Sequence, residues 1–190
     1  MKRIKRSIVF LFLLVWVVLP VAKVEAINYL VDVFMTSDSA PSPFVASADS
    51  EYSGYEAWHA CDWLDSAGFV SGGTALPHWW KVDLGETVTV SGAVITGSVS
   101  ATQSPTAFTI LGSTDNSSWT TLSTQTGLSW AASERKTFTF TAFPLRYFKI
   151  NMTAVGSGNY AGLYEVRIIS PPSSPGGGLV VNLGMTGGMR

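Results

Sequence analysis

The chain is predicted to be all-β, a two-sheet sandwich, and three observations carry that expectation. Beyond the first 26 residues the 190-residue chain is rich in Ser, Thr, Gly and aromatics and poor in strong helix formers. Its apolar residues repeatedly alternate with polar ones, and turn residues punctuate them at short intervals. Many short strands, each apolar on one face, are buried economically by stacking two antiparallel sheets.

The N-terminal segment is set apart from the fold. Lys2, Arg3, Lys5 and Arg6 precede an apolar run from Ile8 to Leu19, and Val24-Glu25-Ala26 has the small-x-small form of a cleavage site. The run is shorter than the roughly 20 residues of a spanning helix, and Pro20 and Lys23 interrupt it. Residues 1–26 therefore read as a signal peptide, with an uncleaved N-terminal anchor as the alternative. The mature chain is expected to be secreted or held at the cell surface, with no stable membrane span after cleavage. The segment contains no cysteine, which argues against a lipid-modified lipoprotein.

Residues 27–170 form the expected domain, with candidate strands at 29–35, 79–84, 88–99, 107–113, 120–123, 135–141, 146–152 and 163–169. The most explicit is the run His78-Trp79-Trp80-Lys81-Val82-Asp83-Leu84-Gly85. Successive strand side chains face opposite ways, so Trp80, Val82 and Leu84 share an apolar face while Trp79, Lys81 and Asp83 share the other. Gly85 supplies the freedom to turn a corner. In Lys136-Thr137-Phe138-Thr139-Phe140-Thr141 strict alternation sends both phenylalanines inward. Asp115-Asn116-Ser117-Ser118 reads as a hairpin turn, because Asp and Asn tolerate left-handed backbone. Only 55–62 suggests a short helical turn.

Residues 171–190 change character. Pro171-Pro172-Ser173-Ser174-Pro175-Gly176-Gly177-Gly178 reads as a linker, and Leu179-Val180-Val181-Asn182-Leu183 as a short apolar tail able to add a strand to a neighbour.

Charge and cysteine content narrow the classes of function. The first 26 residues hold five of the 12 basic residues and one of the 13 acidic ones, so the remainder carries a net charge of −5. Without a basic stripe, nucleic acid is not an expected partner. Cys61 is the sole cysteine, so no disulfide forms within the chain. It is expected to be a small buried thiol and not a nucleophile. Of the two histidines, His59 and His78, neither is placed as a nucleophile's base, and His59 with Cys61, two residues apart, gives only two ligands, too few for a closed zinc site. His78, just ahead of its strand, is expected at the rim. No phosphate-cradling loop or Gly-x-Ser-x-Gly elbow is present, so no enzymatic activity is expected.

The series Ala57-Trp58-His59-Ala60-Cys61-Asp62, His78 to Gly85, Pro105-Thr106-Ala107-Phe108-Thr109-Ile110 with Ser113 to Trp119, Arg146-Tyr147-Phe148-Lys149-Ile150, and Gly162-Leu163-Tyr164-Glu165-Val166 resembles the discoidin family. This family is also called the coagulation factor V/VIII type C domain, and it includes many galactose-binding-like bacterial carbohydrate-binding modules. The resemblance covers about residues 57–169. It implies a jelly-roll β-sandwich whose loops at one end bind a sugar, lipid or protein, commonly with a structural calcium ion (Ca2+). It further implies Asp62 and Glu165 as side-chain calcium ligands. After Asp62 the chain departs from the family's Asp-Gly-Asn pattern, and Asp65 is a candidate replacement ligand.

Aromatic residues are the best lead to a ligand, since sugar rings stack on exposed aromatic faces while polar neighbours take their hydroxyls. Trp79, Trp80 and Trp119, at strand positions, are expected in the core. Trp63, Trp130 and Tyr160 fall in candidate loops, and with Asn159 they form the expected ligand-binding set. The first functional expectation is an exported, non-catalytic module binding carbohydrate at a cell or matrix surface, in the manner of an adhesion domain. The alternative is a structural or assembly protein, such as a surface or phage virion decoration component, self-associating through the C-terminal tail.

Overall fold

The computed structural model describes residues 28–29, 35–64 and 67–171. The signal segment, most of the first candidate strand, Asp65 and all but the first residue of the linker and tail lie outside the described residues. Among those described, no helix is long and apolar enough to cross a membrane.

Among the described residues eight strands run β1 (Asn28–Tyr29), β2 (Val45–Ala48), β3 (Phe69–Val70), β4 (His78–Gly97), β5 (Pro105–Ser113), β6 (Thr120–Gln125), β7 (Arg135–Val155) and β8 (Gly162–Ser170). A 3₁₀ turn spans Ala57–Cys61, where a short helical turn is expected. The order along the hydrogen-bonded path is β1-β8-β4-β7-β5-β6, with β2 on β4 and β3 on β8, and every pairing is antiparallel.

Two expected strand pairs are each one long strand. Trp79–Leu84 and the following segment join into β4, and Arg135–Thr141 and Arg146–Met152 join into β7. The corner is real but does not break the ladder. Register shifts fall between Asp83 and Val88 and between Val90 and Gly92, and Gly85 bends the chain at φ +79°. Bulges of this kind let one strand pass from one sheet to the other. The first half of β4 pairs with β2 and the second half of β7, forming one layer with β5 and β6; the second half of β4 pairs with β8 and the first half of β7 in the other layer.

The core lies between the layers. Trp80, Val82, Leu84, Phe108, Ile110, Phe148, Ile150 and Met152 meet Ile95, Phe138, Leu163, Val166 and Ile168 in one buried cluster. Each fully buried large apolar side chain contributes about 1.5–3 kcal/mol. The Trp80 indole N–H donates to the Ala57 carbonyl at 2.8 Å, so burial leaves no polar atom of the ring unsatisfied. Phe138 is buried and Phe140 packs partly buried against the cluster.

Three sequence expectations are corrected. Trp79 and Trp119 are half-buried on the outer surface of a sheet and not in the core. Trp79 shares its face with Lys81 and Asp83, the polar side of the strand, while Trp80 on the opposite side takes the core position. His78 is buried and not at the rim: its Nδ1 lies 2.7 Å from Asp49 Oδ2, while Asp49 Oδ1 accepts the Trp79 N–H. Cys61 is buried, as expected. Burial foremost, then the charges of Glu165 and Asp62, push its thiol pKa well up, which keeps it protonated and inert.

Candidate functional site

At one end of the sandwich a pocket of about 250 Å³ is lined by Tyr52, Tyr55, Val70, Gln103, Tyr160 and Tyr164. Local chain chemistry builds its walls. Tyr52-Ser53-Gly54-Tyr55 makes a tight turn closed by the Tyr55 N–H on the Tyr52 carbonyl at 2.8 Å. This turn is zipped onto β3, because the Tyr52 N–H donates to Val70 O and the Val70 N–H to Tyr55 O. β3 in turn pairs with the start of β8, which delivers Tyr164.

The opposite wall is the connection from β7 to β8. The Gly158 N–H donates to Thr102 O at 2.9 Å and the Gly156 N–H to Ser104 O at 3.2 Å, pinning the loop against the 3₁₀ turn Ala101–Gln103. A Cβ at Gly158 would come within 2.8 Å of the Thr102 carbonyl oxygen, so the approach requires glycine. The loop is thus held where it presents Tyr160. Tyr160 and Tyr52 meet edge to face, with ring centroids 5.7 Å apart, and Tyr55 lies 6.1 Å from Tyr52 in the same manner. The result is an aromatic cup with the Gln103 amide in its lining.

Of the four ligand-binding expectations, Tyr160 lines this pocket. Asn159 is exposed beside it but is not part of the lining. Trp130 is a packing residue: its indole N–H donates to Pro105 O at 2.7 Å and its ring lies against the core near Phe138. Trp63 is 37% exposed with φ +64°, and the Arg167 guanidinium lies 4.4 Å from its ring centroid, capping one face. Neither tryptophan lines the pocket. Tyr52, Tyr55, Gln103 and Tyr164 are not among the residues expected from sequence to bind a ligand. The signal that would have found the first two is the aromatic pair flanking a Ser-Gly turn.

Asp62 and Glu165 are both buried, and the charges of both raise the Cys61 thiol pKa. Asp62 Oδ1 accepts the Leu64 N–H at 2.8 Å, and its Oδ2 lies 2.9 Å from His59 Nδ1. Glu165 Oε1 lies 3.8 Å from Arg167 Nε. Among the described residues, no group of three or more His, Cys, Asp or Glu side chains is placed to hold a metal ion, and Asp65 is not among them. Two buried carboxylates are of the donor type that a hard cation takes, among six to eight oxygens that include backbone carbonyls.

A second concave surface, about 260 Å³, lies on the outer face of the sheet and is lined by Trp79, Lys81, Asn116, Trp119 and Lys149. It shares no residue with the end pocket.

Solved structures with this fold include chitosan-binding module 1 from a chitosanase/glucanase of Paenibacillus sp. IK-5, at 27% identity and a TM-score of 0.58, covering 65% of this chain and 92% of that one. The family 32 carbohydrate-binding module of Clostridium perfringens NanJ, solved with galactose, matches at 26% identity and a TM-score of 0.57, covering 67% and 93%. A second C. perfringens module, CpGH89CBM32-5, shares the fold at 18% identity and a TM-score of 0.59, covering 67% and 95%. No curated protein sequence matches the chain. The β-sandwich, its ordered sequence pieces and the match of residues 45–166 to the F5/8 type C domain model together place this chain in the F5/8 type C, or discoidin, domain family.

Proposed function

We propose that the chain is an exported, non-catalytic recognition module that holds a glycan at a cell or matrix surface through the tyrosine-lined end pocket. The observation that carries this reading is the convergence of Tyr52, Tyr55, Tyr160 and Tyr164 with Gln103 around one cavity. Apolar ring faces of a sugar stack on aromatics, and the phenol and amide groups offer both donors and acceptors to its hydroxyls. The NanJ module is described with galactose and the Paenibacillus module as chitosan-binding, which supports carbohydrate as the ligand class.

A glycan array probed with the full chain should give at least one reproducible ligand. Tyr160→Ala and Tyr52→Ala should each weaken that ligand about tenfold or more, since each removes a stacking surface, while the melting temperature stays near that of the wild type. An array without ligands, or full affinity in both variants, would refute the reading. The export component rests on the N-terminal segment: recovery from an exporting host should yield a mass corresponding to cleavage after Ala26.

The proposal includes a structural calcium ion with Asp62 and Glu165 among its ligands. Such an ion would neutralise two buried carboxylates and tie the Asp62 turn to β8.

A further inference from the structure

We propose that the outer face of the sheet carries a second binding site, distinct from the end pocket, which takes an acidic saccharide: a sugar ring bearing a carboxylate or a sulfate.

Lys81 of β4 and Lys149 of β7 are direct cross-strand partners. Like charges in that relation destabilise a sheet, and here they are also crowded by indole rings. Lys149 Nζ lies 4.0 Å from the Trp119 ring centroid and 5.8 Å from that of Trp79; Lys81 Nζ lies 5.4 Å from the Trp79 centroid. Burial, and after it the Lys81 charge, lowers the Lys149 pKa below the ordinary lysine value. The ammonium groups are thus brought together and partly dried.

Among the described residues, no carboxylate lies within ion-pair distance of either lysine. Asp83, the nearest in sequence on this face, is engaged by Arg146. Asp115, in the adjoining hairpin, has Oδ1 committed to the Ser117 and Ser118 N–H groups. Lys81 donates instead to the neutral Asn116 Oδ1 at 2.9 Å. The missing partner for two positive charges is an anion.

Two indoles and an amide beside those charges make the surface more than an anion patch. An indole face accepts the apolar side of a pyranose, the Asn116 amide is within reach of hydroxyls, and the ammoniums receive the acidic group. The concavity is smaller than drug-sized cavities of about 300–1,000 Å³, which suits one sugar ring with its acidic group. The proposal does not depend on the end pocket.

The test is calorimetric titration of the full chain with three probes: an oligogalacturonate, a heparin oligosaccharide and inorganic polyphosphate. Binding to either acidic saccharide is expected, and the two arms distinguish carboxylate from sulfate. The Lys81→Gln/Lys149→Gln double variant should lose that binding by about tenfold or more, with a melting temperature no lower than that of the wild type. In Trp119→Ala, affinity for the saccharide should also fall, whereas Tyr160→Ala should leave it intact. Absence of saccharide binding in the wild type, or equal binding by the double variant, would overturn the proposal. Polyphosphate binding as tight as the saccharide's, unaffected by Trp119→Ala, would also overturn it by showing a charge patch without sugar recognition.

Discussion

Asp83 and Arg146 form a two-pronged ion pair at the corner where the chain turns between layers: Arg146 Nε donates to Oδ1 at 2.8 Å and Nη2 to Oδ2 at 2.9 Å. Asp83 Oδ1 also accepts the Gly85 N–H at 2.8 Å, so one carboxylate fastens β4 to β7 and shapes the bend that follows it. Burial by itself would raise the Asp83 pKa, but the Arg146 hydrogen bond, the Gly85 N–H and the Arg146 charge together outweigh it, and the net shift is downward.

A depressed folded-state pKa means that Asp83 contributes stability above its ordinary value of 3.8 and loses it as pH falls through the lower folded value. Asp83→Asn should lower the melting temperature by roughly 3–6 °C at neutral pH. The gap from wild type should narrow on acidification below pH 3.8. Melting curves across that range check this; a gap independent of pH would mean that charge is not what Asp83 supplies.

Gly85 is held to glycine twice over. Its φ of +79° disfavours any side chain, and an added Cβ would lie 2.4 Å from Pro43 Cβ. Gly85→Ala should therefore destabilise by about 2–4 kcal/mol, strain and overlap combined. Gly127→Ala, at φ +66° with nothing within 4 Å of the new carbon, should cost only about 1 kcal/mol. Chemical denaturation of the two variants reads the difference directly, and equal losses would locate the cost in backbone conformation alone.

Trp130→Ala should behave as a stability variant. The indole packs on the core near Phe138 and donates to Pro105 O, so truncation should cost about 2–4 kcal/mol. Glycan affinity measured well below the melting transition should be retained. Selective loss of binding with an unchanged melting temperature would return Trp130 to the recognition surface.

Thorough chelation should lower the melting temperature of the full chain, and added calcium should restore it in a concentration-dependent way, because a ligand of the native state stabilises by mass action. Asp62→Asn should remove the calcium response. Identical melting in chelator and in calcium would discard the proposed ion.

The parts of this architecture that were readable from sequence are those set by local alternation. Period two placed Trp80, Val82 and Leu84 inward together, and Phe138 with them. Alternation also groups Trp79 with Lys81 and Asp83, but it does not show that a large indole on a polar face can stay half-buried. In the fold that indole lies half-buried beside two lysine ammonium groups, Lys81 and Lys149. Other placements depend on partners distant in sequence: nothing near Trp130 announces Pro105 O, and nothing near His78 announces Asp49. β2 is four residues long within a Ser- and Pro-rich stretch, too short for its pattern to stand out. Of the end pocket only Tyr160 is legible in the sequence, because the Tyr52–Tyr55 turn lies far along the chain from Tyr160 and Tyr164, and they converge only in the fold.

Since β4 and β7 each belong to both layers, the molecule is less a pair of plates held by a greasy seam than a ribbon folded over and laced along its own length. Peeling the layers apart would mean unlacing two continuous backbones, so the layers have no plane along which to hinge. Two of the end pocket's lining residues, Gln103 and Tyr160, sit on the β4-to-β5 and β7-to-β8 connections, where the chain crosses between layers, and the Tyr52–Tyr55 turn is tied to β3 by two backbone hydrogen bonds. Under the proposed reading, a sugar would meet a cup already set in shape and would spend little of its binding energy on moulding the receptor.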